Sequence, residues 1–189
     1  MRITRLLLLL LLLCVIVLVP ACWLFPEGPK ARPAGTDGSA RWAFDVASPR
    51  AKTVLAPDAI VVEITGEDVM PDGRLAANRG KWTLSFSSFT AAQRVPVAVD
   101  YLRNVTVGTA VAPGVIRALG APPGTFPDST NIFASSVGKG AAGARTVDNP
   151  VQCAFDSIAG THVWTIKLKV GSATETHRVR WDGVWLEVL

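Results

Sequence analysis

The sequence predicts an α+β fold: two tandem helix-plus-antiparallel-sheet repeats forming one pseudo-symmetric domain. The first observation behind this is an internal echo. KWTLSF (81–86) recurs as VWTIKL (163–168), each reading tryptophan, threonine, branched aliphatic, polar, large apolar. The second is what surrounds it. VPVAVD (95–100) and HRVRWD (177–182) each end in an aspartate eighteen residues beyond the tryptophan. NVTV (104–107) and WLEV (185–188) follow, while DAIVVEI (58–64) and NPVQCAF (149–155) precede. Four elements in one order, twice, indicate a duplicated unit. The third is strict alternation within these runs, which is the period of a half-buried strand.

In chain order, Met1 to Arg5 carries two arginines, followed by Leu6 to Leu13 and CVIVLVP. This is the layout of a secretory signal. Fourteen apolar residues as a helix cover about 21 Å, less than the roughly 30 Å of a bilayer core. Counting on through Phe25 reaches spanning length, but Pro20 interrupts that helix. Residues 1–21 are therefore expected to be a signal peptide. Residues 22–39, rich in proline and glycine without periodicity, are expected to form a flexible tether.

The first repeat is expected over 40–108. Ser48 and Pro49 suit the N-cap and first turn of a helix running through RAKTVLA. Trp82, Leu84 and Phe86, then Val95, Val97 and Val99, alternate with polar or small residues as strands do. Met70-Pro71-Asp72-Gly73 suits a turn. Residues 109–128 read as a linker with a short helix at PGVIRALG (113–120). The second repeat, 129–189, opens with a helix capped by Asp128 or Ser129, placing Ile132, Phe133, Ser136 and Val137 on one face. Strands follow, closed by Asp182-Gly183, a two-residue hairpin signal. A turn at GSAT (171–174) sets Leu168 opposite His177.

Val19-Pro20-Ala21-Cys22 resembles the lipobox of bacterial lipoproteins, with a branched residue at −3 and a small one at −1. The resemblance implies a diacylglycerol on the Cys22 thiol, cleavage before it, and a domain held outside the cytoplasm on the cell membrane or outer membrane. Pro20 departs from the usual alanine or serine. An uncleaved single span, anchoring a structural envelope protein, is the alternative. The repeats resemble PepSY-like or cystatin-like modules of exported proteins, in which a helix precedes a curled antiparallel sheet. That implies a non-catalytic module that binds other proteins at the envelope, with no catalytic residues to carry over. Asp100, followed by Tyr101 and Leu102, departs from the family's D-G turn.

Composition narrows the chemistry. The chain has 19 basic and 15 acidic residues; without Arg2 and Arg5 the balance falls to about +2, which argues against nucleic-acid binding. Of three cysteines, Cys14 leaves with the signal and Cys22 takes lipid. Cys153, in an apolar run, reads as a small buried hydrophobe. GKGAAG (138–143) matches G-x-G-x-x-G, but no long helix has room to follow it, so it reads as a flexible helix exit. His162 and His177 lie too far apart along one hairpin for a shared metal, and no nucleophile setting is visible. The sequence thus predicts no catalytic residue, metal or cofactor, leaving open an envelope enzyme whose carboxylates meet only in three dimensions. One constellation stands out: Lys167, Lys169, Arg178 and Arg180 alternate with the buried set and share an outer face. They form either a solvated face or a surface for an acidic partner (a protein, an envelope polymer or a lipid headgroup).

Overall fold

A computed structural model of the chain describes Pro33, residues 36–116 and residues 128–189. The signal region, Cys22 and most of the tether lie outside the described residues, as does the greater part of the linker helix expected at 113–120. Its described part, 113–116, is not helical.

The chain enters through α1 (Ala40–Val54), capped by Ser39, whose hydroxyl accepts the Trp42 N–H. The helix begins eight residues before Ser48, so the expected cap at Ser48 is wrong, and Pro49 lies inside the helix. Burial overrides the proline. Ala40, Ala43, Ala47 and Ala51 form a stripe with no solvent exposure, letting the helix backbone sit close to the sheet. The last residues of the expected tether are also built into the domain: the Gly38 carbonyl accepts the Trp82 indole N–H at 3.0 Å and the Leu75 N–H at 3.0 Å.

Four strands follow: β1 (Ile60–Glu67), β2 (Lys81–Ser88), β3 (Gln93–Asp100) and β4 (Val105–Val107). Next come α2 (Ser129–Ser136), then β5 (Arg145–Asp156), β6 (Thr161–Val170), β7 (Ala173–Arg180) and β8 (Trp185–Val188). All eight strands form one antiparallel sheet in the order β4-β3-β2-β1-β5-β6-β7-β8. The α+β class is as the alternation predicts, and β1 and β5 lie side by side with the chain stepping outward from each.

The β1–β5 seam pairs only three positions: Ile64 with Cys153, Thr65 with Gln152, and Gly66 with Val151. Side chains reinforce it. Trp82 and Trp164 meet edge to face with centroids 6.1 Å apart. The Val62 carbonyl, at a bulge in β1, is met by His162 Nε2 at 3.2 Å. Asn149 Oδ1 accepts the Val69 N–H at 2.9 Å. On the opposite face Gln152 donates to Glu63 at 2.6 Å.

Turn geometry corrects three expectations. The β6–β7 hairpin turns on Gly171-Ser172 alone, so Leu168 faces Glu175 and Ile166 faces His177. The shift is by two residues, which preserves every side chain's face. The β7–β8 turn has three residues rather than two: the Arg180 N–H bonds the Val184 carbonyl, and Gly183 holds φ +92°. The β3–β4 turn is built alike, from Asp100 to Asn104 with Arg103 at φ +71°. Asp100 therefore matches Arg180, which begins its turn, and not Asp182. Within α2, Ile132, Phe133 and Ser136 are buried as expected, whereas Val137 is exposed beyond the helix end.

Gly66 places its Cα against the Trp82 ring; a Cβ there would lie 2.3 Å from Cζ3 and 2.6 Å from Val69. Gly66→Ala is expected to lower stability by about 1–3 kcal/mol, the range for overpacking a filled core. A reduced urea midpoint at unchanged slope would register it.

Candidate functional site

The four cations singled out in the sequence do share one face. Thr165, Lys167 and Lys169 on β6 pair with Arg178, Thr176 and Thr174 on β7, and Val163 with Arg180. Trp164, Ile166 and Leu168 alternate with them into the core. What the sequence did not reveal is the counter-charge. Arg178 bridges Asp156 and Glu187. Arg180 meets Asp182, and Lys169 meets Asp148 at 3.1 Å. Among the described residues only Lys167 of the four has no ion pair. Four cations stand against four carboxylates, so this face has little net field to offer an acidic partner.

The outer face of the first half is charged as well. Glu63, Glu67, Lys81 and Arg94 point outward there, paired as Arg94–Glu63 and Lys81–Glu67. Both halves therefore wear an outer surface of satisfied pairs. Most of these partners lie on other strands, and only Asp182 is local to its cation, so alternation within one hairpin carries little signal for them.

The glycine motif has a structural employment. Gly138–Gly143 leads from α2 into β5 and is fastened at both ends. Arg145 donates to the carbonyls of Ser136 at 2.8 Å, Lys139 at 2.6 Å and Ala141 at 3.3 Å. Glu175 Oε1 accepts the Ala141 N–H at 2.7 Å. Gly140 holds φ +77°, a conformation that strains an L side chain, and a Cβ there would also push the Glu175 carboxylate aside. A carboxylate from the chain itself thus occupies the loop amide that a phosphate would seek in a nucleotide site. The loop is a helix exit, as expected, but a clamped one.

Glu175 also fixes His177, whose Nε2 lies 3.1 Å from Oε2. A carboxylate only accepts, so Nε2 carries the proton. His177 has no exposed surface, and its Nδ1 has no partner among the described residues. A base so enclosed cannot reach a substrate. His162 is spent on the Val62 carbonyl and on an edge contact with Phe155. Cys153 is fully buried, and burial pushes its thiol well above the ordinary value, which leaves it protonated and unreactive.

Three surface clefts bear on an enzyme whose carboxylates meet only in the folded chain. One of about 360 Å³ is lined by the glycine loop, Pro71 and Arg145, with no carboxylate. One of about 380 Å³ holds Asp72, which pairs with Arg74. The third, about 180 Å³ and beside the seam, holds Glu63, paired with Arg94. None brings two carboxylates together. Among the described residues no group of three His, Cys, Asp or Glu is placed to hold a metal ion.

With this geometry in hand, the fold has a solved counterpart. It resembles a candidate lipoprotein from Clostridium difficile 630, with a TM-score of 0.56 over 78% of this chain and 91% of that one. At 12% sequence identity the likeness is one of fold. No protein-family model matches the chain, and no curated protein matches it. Among the described residues no helix is long and apolar enough to cross a membrane.

Arg178→Ala leaves Asp156 and Glu187 without their cation and is expected to cost about 1 kcal/mol, while Lys167→Ala stays within about 0.5 kcal/mol. Chemical denaturation of the two variants side by side checks this. The Ala141 amide, then His177, holds the Glu175 carboxyl below its ordinary 4.5. A folded-state pKa lower than the unfolded one adds stability that is complete above 4.5 and lost as pH falls through the depressed value. The melting temperature is expected to drop across that acidic window, and less steeply in Glu175→Gln.

Proposed function

We propose that this chain is an exported bacterial lipoprotein, tethered to the envelope through Cys22, whose domain acts by binding and not by catalysis. The observation that carries the reading is Val19-Pro20-Ala21-Cys22 at the end of the leucine run. The fold it shares with a candidate lipoprotein of Clostridium difficile supports it. So does the employment of both histidines, the cysteine and one carboxylate of the second half: His162, His177, Cys153 and Glu175 are each buried or bonded within the domain.

We further read the domain as two copies of one unit. In each half a helix precedes four strands that step outward from the seam, and Tyr101 and Trp181 occupy matching turn positions. The Tyr101 N–H donates to the Gly80 carbonyl, and the Trp181 N–H to the matching His162 carbonyl. This is the helix-then-sheet order of the PepSY-like or cystatin-like modules that the sequence resembles. An acidic partner on the Lys167–Arg180 face is the weaker part of the reading, because three of its four cations are already paired.

Mass spectrometry of the amino-terminal peptide from membrane-extracted protein tests the anchor. Loss of residues 1–21 and a diacylglycerol thioether on Cys22 are expected, and Cys22→Ala should abolish both. A peptide that retains Met1 and an unmodified Cys22 would replace the lipoprotein with a single-span protein.

A further inference from the structure

No further inference is drawn: the strongest candidate, the outer edge of the sheet at β8, where Val184, Leu186 and Leu189 stand exposed, carries nothing, because nothing in the structure shows what covers it.

Discussion

The whole sheet depends on one indole lying over one glycine. Trp82 fills the space that a side chain at position 66 would take, hands its N–H to the Gly38 carbonyl, and presents its ring to Trp164. Those contacts join β1 and β2 to β5 and β6 where the backbone ladder between the halves is only three pairs long. Aromatic pairs of this geometry add about 0.5–1.5 kcal/mol beyond burial. The bulge at Val62 frees a carbonyl that His162 reclaims from across the seam, and Asn149 ties the Val69 backbone beside it. Two polar side chains of kinds common in active sites are thus consumed in holding two halves together.

Charge follows a similar economy. Among the described residues each cation of the sheet's outer face except Lys167 finds a carboxylate, and half of the pairs join neighbouring strands. Exposed pairs of this kind contribute little to stability individually. Their larger effect is to erase the field that a run of lysines and arginines would otherwise project. What distinguishes one region of this surface from another is therefore where pairing stops, not where charge is dense.

Strand positions were legible because the alternation of Trp82-Leu84-Phe86 and Trp164-Ile166-Leu168 is set by burial of one face alone. Helix α1 was misplaced because Ser48-Pro49 imitates a start signal, while the true signal, an alanine every three or four residues after Ser39, has little hydrophobicity to announce it. The equivalence of Asp100 and Asp182 rested on counting from the tryptophans. The β6–β7 hairpin is shorter by two residues than its counterpart, so equal counts land on different turn positions. The basic face was read correctly as a face and incompletely as a charge, since Asp148, Asp156 and Glu187 reach it only through strand pairing. Nothing in the local sequence distinguishes Phe89 and Ile158 from core residues; only the register places them on turns.

The Gly38 carbonyl is a small feature with a mechanical consequence. The segment arriving from the amino terminus is not free up to the first turn of α1, because two donors, Leu75 and the Trp82 indole, grip it just before the helix begins. Tension applied along that segment is delivered straight to the middle of the hydrophobic interior, bypassing the helix end that would otherwise fray. A domain leashed at this point carries load through its most deeply packed ring.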